Sequence, residues 1–167
     1  RQTVSIFRNI ILGLSDFMMS MKNGPPGQAI NLFCFSPETL IMTQTGKLVP
    51  MKDIELNTKL KNGSKVLSVM TISNLDSDGN IINEMYEISN GEKDELIYVT
   101  GSHLVYDQTI KEYVYVSDLN RVNECKKSTK TMRELSCLIT SDHTIPIGEW
   151  VFHDWEDNNG SPAKNLQ

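Results

Sequence analysis

From Ile30 to about Phe152 the apolar positions alternate with polar ones in short runs rich in Val, Ile, Thr and Tyr. That period predicts strands over Thr39–Thr43, Lys47–Pro50, Lys65–Ser73, Ile81–Ser89, Leu96–Thr100, His103–Tyr106, Glu112–Val116, Leu135–Thr140 and Thr144–Phe152, the last with a turn at Gly148. Turn chemistry separates them at Thr45-Gly46, Asn62-Gly63, Asp78-Gly79 and Asn90-Gly91. Many short strands with no helical spacing between them predict an all-β fold rather than βαβ units.

The flanks follow other patterns. Phe7, Ile10, Ile11, Leu14, Phe17, Met18 and Met21 recur at three- and four-residue intervals, which predicts an amphipathic helix over residues 3–22. Asn23-Gly24-Pro25-Pro26-Gly27 ends it. Such a helix packs on its own domain or mediates self-association. Its polar face carries only Arg8, Asp16 and Lys22, which disfavours a membrane surface. Residues 155–167 hold few apolar side chains and read as a flexible tail. The expected organisation is therefore a helix and Gly/Pro linker over 1–30, a β domain over 31–154, and the tail. A faint internal echo runs through the β domain. Leu40-Ile41 through Gln44-Thr45 to Met51-Lys52-Asp53-Ile54 parallels Leu104-Val105 through Gln108-Thr109 to Val116-Ser117-Asp118-Leu119. Each copy reads as a hairpin followed by a short acidic-apolar turn.

Composition narrows the partners. A net charge of −5 offers no field for a phosphate backbone, so nucleic acid is not expected as a partner. The basic cluster Lys126, Lys127, Lys130 and Arg133 reads as a solvated loop. No run of ~18 apolar residues predicts a transmembrane span, and no signal-peptide pattern opens the chain. The chain does not begin with Met and is expected to be a piece of something longer. The three cysteines, Cys34, Cys125 and Cys137, fit no disulfide framework. They are expected as reduced thiols in an intracellular setting, Cys125 as an inert thiol in a loop.

The candidate chemistry sits at the head of the β domain. Cys34 carries its thiol immediately after the Phe33 carbonyl, so attack through a five-membered ring converts that peptide bond to a thioester without a second molecule. The step needs a base for a thiol whose ordinary pKa is about 8.5, donors for the oxyanion, and an acid for the departing amide. The chain has three histidines, and each lies in a conspicuous motif: Thr100-x-x-His103, Asp142-His143, and Phe152-His153-Asp154.

Three stretches together resemble the Hint domain shared by inteins, bacterial intein-like domains and the C-terminal part of hedgehog proteins. Cys34-Phe35-Ser36-Pro37-Glu38-Thr39-Leu40-Ile41, with Gly46-Lys47 and Met51-Lys52-Asp53-Ile54-Glu55, resembles the opening of that family. Thr100-x-x-His103 resembles its T-x-x-H motif, and Cys137 through Asp154 its terminal pair of motifs. The resemblance spans roughly residues 31–154 and leaves no room for a homing-endonuclease insert. It implies a pseudo-two-fold β horseshoe that cuts or splices its own polypeptide, with no cofactor and no metal. It implies that Cys34 is the nucleophile, that His103 activates the first peptide bond, and that Thr100 helps hold it. It places Cys137 at the family's Asp/Cys position, His143 at the middle histidine and His153 at the penultimate one. The family's terminal Asn is replaced by Asp154, and the next residue is Trp155, which has no hydroxyl or thiol. Amide cyclisation and acyl capture are thereby lost, so the resemblance implies N-terminal cleavage, or transfer to water or a small thiol or amine, rather than full splicing. Asn159-Gly160 lacks a preceding His and is not expected to replace the missing Asn.

Two other readings stay open. Cys34, His103, Cys137 and His143 are all zinc-ligand types, although no Cys-x-x-Cys pair is present. A Hint fold that no longer cuts would serve as an interaction domain. Trp150 and Phe152 read as core aromatics, and Asp107 and Asp142 as residues of solvated turns.

Overall fold

A computed structural model describes residues 33–90, 95–122 and 125–154. The helix expected over 3–22, the tail, Trp155 and Asn159 lie outside the described residues. The strands are β1 (Leu40–Met42), β2 (Leu48–Pro50), β3 (Val66–Ser73), β4 (Met85–Ser89), β5 (Leu96–Thr100), β6 (Leu104–Asp107), β7 (Glu112–Tyr115), β8 (Cys125–Lys127), β9 (Glu134–Thr140), β10 (Thr144–Ile147) and β11 (Trp150–His153). The remaining regular pieces among the described residues are 3-10 turns at Met51–Asp53 and Val116–Val122.

The period-2 patterning decides which faces are buried. In β3, Val66, Ser68, Met70 and Ile72 point inward while Leu67, Thr71 and Ser73 are exposed. β9 is different: Leu135, Ser136, Cys137 and Leu138 are all buried, as in a strand covered on both faces. It pairs antiparallel with β3 from Ser73↔Glu134 to Val66↔Thr140. β4 pairs with β5 on one side and with β8 on the other.

Phe35 joins these two sheets. It exchanges both backbone hydrogen bonds with Ser136, each 2.8 Å, and bridges Val99 of β5 on its other side. The chain around Phe35 is therefore an inserted strand between β9 and β5. Carrying the antiparallel register one residue along sets Cys34 opposite Cys137 on one side and opposite Thr100 on the other. Met70, Cys137, Cys34, Thr100 and Met85 thus stand in one row across the seam, each at most 1% exposed. Phe35 itself is fully buried against Phe152, edge to face at 4.9 Å. Each such ring contributes roughly 1.5–3 kcal/mol through burial.

A four-stranded sheet runs β10-β11-β6-β7. Its β11–β6 contact has one register pair, Phe152↔Val105, which returns the end of β11 to the start of β6. The internal echo takes structural form. β1–β2 and β6–β7 are both antiparallel hairpins, and each runs into a 3-10 turn whose first residue, Met51 or Val116, is fully buried.

Four expectations need correction. The strand predicted from Ile81 begins at Met85, because the residues before it are tied back to Asn74 and Leu75: Ile81 makes an isolated bridge to Leu75, the Ile82 amide donates to the Asn74 carbonyl at 3.0 Å and the Asn83 amide to Asn74 Oδ1 at 2.9 Å. The basic cluster is not all loop: Cys125–Lys127 pairs with β4, with Lys126 3.6 Å from Glu87 and Lys127 2.6 Å from Glu84. Cys125 is a buried strand residue whose thiol donates to the Val116 carbonyl at 3.4 Å, and burial pushes its pKa up to about 11. Trp150 is half-buried, its indole N–H donating to the Ser89 carbonyl at 2.8 Å, so Phe152 alone of that pair is a full core aromatic.

Candidate functional site

The inserted strand delivers Cys34 into the seam. Its backbone N–H, the amide of the Phe33–Cys34 bond, donates to Thr100 Oγ1 at 3.2 Å, and its carbonyl accepts from the Thr100 amide at 3.0 Å. Thr100 thus grips Cys34 on both sides of its α-carbon. The Thr100 carbonyl then accepts from the His103 amide at 3.1 Å, closing the turn that places the imidazole beside the same bond. This is the physical content of the Thr-x-x-His spacing. One residue fixes the amide and the next turn supplies the ring.

His103 is fully buried. Its ring is enclosed by Phe35 at 4.5 Å, Phe152 at 5.7 Å and Phe33 at 6.4 Å between centroids. Nε2 lies 2.6 Å from the His153 carbonyl oxygen, an acceptor only, so Nε2 carries the hydrogen. Nδ1 is buried and makes no hydrogen bond of good geometry. Burial in this aromatic box lowers the imidazole pKa from 6.5 to about 3, against the opposing pull of the His153 carbonyl and, more weakly, the Phe33 carbonyl. His103 is a neutral imidazole with its free lone pair on Nδ1.

The Cys34 thiol is equally enclosed. Burial first, and then the hydrogen bond and charge of the Cys137 thiol beside it, raise its pKa well above the ordinary range. Both cysteines are free thiols with no exposed surface. Cys34 is therefore a protonated thiol.

The other histidines form a second cluster around Asp154, whose side chain is fully buried. Asp154 Oδ2 accepts from the Thr140 amide at 3.0 Å and lies 3.1 Å from His143 Nδ1; Oδ1 lies 3.7 Å from His153 Nδ1. The His143 and His153 rings stack at 6.2 Å, 11° apart, and Tyr113 meets His153 edge to face at 5.7 Å. His143 occupies left-handed backbone, φ 64°, in the turn between β9 and β10. Asp142 secures that turn: its Oδ1 accepts from Ser64 Oγ at 2.5 Å, Thr144 Oγ1 at 2.7 Å and the Thr144 amide at 3.1 Å. Burial acts to raise the Asp142 carboxyl, but these donors outweigh it and leave its pKa lowered. Asp107 likewise serves a turn, accepting from the Thr109 amide at 2.9 Å.

All seven sequence-selected residues therefore lie in one chain of contacts. Cys137 stands opposite Cys34 in the strand register, Cys34 is held by Thr100, and Thr100 positions His103. The His153 carbonyl links His103 to the cluster of His153, Asp154 and His143. The zinc reading gains nothing from this geometry: among the described residues no group of three or more His, Cys, Asp or Glu side chains is arranged to hold an ion. Sequence reasoning missed three features. One is the bond from the Phe33–Cys34 amide to Thr100, which needed the strand register. Another is the contact of His103 with the His153 carbonyl. The third is the bond from Ser64 to Asp142, 78 residues away in the chain, which secures the turn that carries His143.

No family model and no curated protein matches the chain. Solved structures do. A DnaB intein from Synechocystis sp. PCC 6803 superposes with a TM-score of 0.50 at 17% identity, covering 73% of this chain and 98% of the intein. A bacterial intein-like domain from Clostridium thermocellum gives 0.51 at 18% identity, over 75% and 100%. A variant of the Ssp DnaB mini-intein gives 0.52 at 13%, over 79% and 99%. At these identities the likeness is one of fold: this chain has a Hint-type fold similar to that of inteins and of a bacterial intein-like domain.

Proposed function

We propose that this chain is a cysteine-dependent, single-turnover self-processing domain that breaks its own Phe33–Cys34 bond. The observation that carries the reading is the double grip of Thr100 on Cys34, with the free Nδ1 of a neutral His103 buried in the same pocket. Cys34 Sγ attacks the Phe33 carbonyl carbon as its proton is handed through the imidazole toward the Cys34 nitrogen, so that no free imidazolium accumulates. The C–N bond then breaks, and the proton is returned to the Cys34 nitrogen. The product is a thioester between Phe33 and Cys34 Sγ with a free amine at Cys34. Depressed basicity suits the return step, because an imidazolium of low pKa is a strong acid toward an amide nitrogen.

Water or a small thiol or amine then takes the acyl group. Under this reading the released side is residues 1–33, which includes the helix and linker expected over 1–30; the rest of the 31–154 domain is the processing unit and 155–167 follow it. The two hairpin units support the two-fold horseshoe expected of such a domain. Asp154 replaces the amide that intein-type splicing cyclises, so release on the C-terminal side is not part of the reaction. A non-cutting interaction domain is the reading to adopt if the following test fails.

The test is intact mass of the purified chain incubated with and without dithiothreitol or hydroxylamine, beside Cys34→Ala. Expected is loss of residues 1–33, faster with the added nucleophile and absent in the variant. An unchanged mass under both nucleophiles overturns the reading.

A further inference from the structure

The turn between Thr100 and His103 holds a glycine that its backbone conformation does not call for. Gly101 lies outside the left-handed region that Gly46, Gly63, Gly79 and Gly148 occupy. What it lacks is room. A Cβ built there would meet Tyr86 Cε1 at 2.6 Å, Cδ1 at 3.0 Å and Cζ at 3.4 Å, so the edge of the Tyr86 ring rests on the Gly101 backbone. The register brings the ring there. Tyr86 faces Val99 across β4 and β5, and Gly101 follows Val99 by two residues, within the diagonal reach of a long side chain on an antiparallel pair. Val99 in turn bridges Phe35, whose ring lies 4.5 Å from the His103 imidazole. Two backbone bonds tie the same turn to the second 3-10 turn. The His103 carbonyl accepts from the Val116 amide at 2.9 Å, and the Gly101 carbonyl from the Ser117 amide at 3.0 Å. To these the half-buried Tyr86 adds a side chain that bears on the residue next to Thr100.

We propose that Tyr86 is a positioning residue for cleavage of the Phe33–Cys34 bond, its ring seated on Gly101 to fix the turn that aims Thr100 and His103. The effect on rate rests on the self-processing reading; the effect on the His103 ring does not. Thr100 Oγ1 accepts from the Cys34 amide at 3.2 Å, and His103 Nε2 donates to the His153 carbonyl at 2.6 Å. The two residues flank Gly101 in the chain, and both contacts depend on where the turn runs. A side chain at Gly101 drives the turn and the ring apart, and loss of the ring leaves the turn unsupported. A misplacement of about 1 Å costs on the order of 10²-fold in rate. The atoms of Tyr86 that meet Gly101 are ring carbons, so a phenylalanine serves equally.

The experiment compares Tyr86→Phe, Tyr86→Ala, Gly101→Ala and the double variant of Tyr86→Ala with Gly101→Ala, each in the full chain. Hydroxylamine is the acceptor, and circular dichroism checks folding. Expected is release of residues 1–33 at the native rate in Tyr86→Phe, and release slowed roughly 10²-fold in Gly101→Ala and Tyr86→Ala. The double variant is expected to cut faster than Gly101→Ala, because removal of the ring makes room for the added methyl. Native-rate release in Tyr86→Ala, or a double variant no faster than Gly101→Ala, overturns the proposal and leaves the self-processing reading standing. Should Gly101→Ala fail to fold, Tyr86→Ala against Tyr86→Phe decides. A second readout does not depend on cutting: proton–nitrogen correlation spectra of the imidazoles in a Cys34→Ala background, where the chain stays whole. Expected is a His103 ring with its hydrogen on Nε2 in that parent and with Tyr86→Phe, and mixed tautomers in folded Tyr86→Ala and Gly101→Ala. Those spectra from a chain that hydroxylamine never cuts support the positioning of His103 and sink the self-processing reading alone. His103 signals unchanged in both variants overturn the positioning role.

Discussion

At the residue scale His103 sets the pH behaviour. Folded, it stays neutral down to about pH 3; unfolded, it takes a proton near 6.5. Between these values the unfolded chain binds more protons. The stabilisation is thus complete above about pH 6.5 and is lost as pH falls through that window toward 3. The full difference is of order 4–5 kcal/mol at 1.36 kcal/mol per unit. Urea denaturation across pH 7 to 4 is expected to show this acid slope in the native chain and a flatter one in His103→Gln. In the cleavage assay, His103→Ala is expected to slow release roughly 10²–10⁴-fold, the usual contribution of a positioned acid or base. Thr100→Val removes the acceptor for the Cys34 amide while keeping the shape, leaving a buried donor unsatisfied at about 1–3 kcal/mol. Both the thermal midpoint and the cleavage rate are expected to fall in that variant, whereas Thr100→Ser restores the rate.

At the element scale the tight β10–β11 turn is the sensitive point. Gly148 has φ 57°, its carbonyl accepts from the Lys61 ammonium, and an added Cβ would come within 1.5 Å of Asn90 Oδ1. Gly148→Ala is expected to destabilise the protein by at least about 1 kcal/mol, read as a lowered midpoint in thermal unfolding. A Gly46→Ala control meets no atom within 4 Å and bears only the conformational strain. Strands with a clear period of two, such as β3, were legible in the sequence, and so was the Gly148 turn. β8 was not, because two of its three residues are solvent-facing lysines and its strand character comes from pairing with β4. The stretch around Phe35 was legible as chemistry but not as structure. Its hydrogen bonds go to partners some 60 and 100 residues away, and no local pattern encodes that distance.

At the scale of the whole molecule, Asp154 is the residue on which the proposed cleavage, as opposed to splicing, turns. Its carboxylate accepts from Thr140 and faces His143. An Asn side chain fits the same partners, with its oxygen toward the Thr140 amide and its NH₂ toward His143 Nδ1. Asp154→Asn is therefore expected to fold normally and to supply the missing amide nucleophile. Mass spectrometry is expected to detect a released fragment that begins at Trp155. No such fragment in a folded variant would mean that the cluster of His143 and His153 does not promote cyclisation. The membership of this cluster was legible from the terminal motif, whereas the carbonyl link from His153 to His103 was not, because a backbone contact leaves no trace in side-chain identity.

The inserted strand at Phe35 also sets an order of events during synthesis. Its two neighbours are β5 and β9, and the ring beside it is locked by the carbonyl of residue 153. Cys34 is made among the first residues of the domain, yet its pocket cannot close until nearly the last residue of the domain has left the ribosome. Contacts of such long sequence separation form late and slowly. Under the proposed self-processing the topology acts as a clock: whatever precedes Phe33 has the whole translation time of the domain in which to fold before the bond that tethers it can be broken.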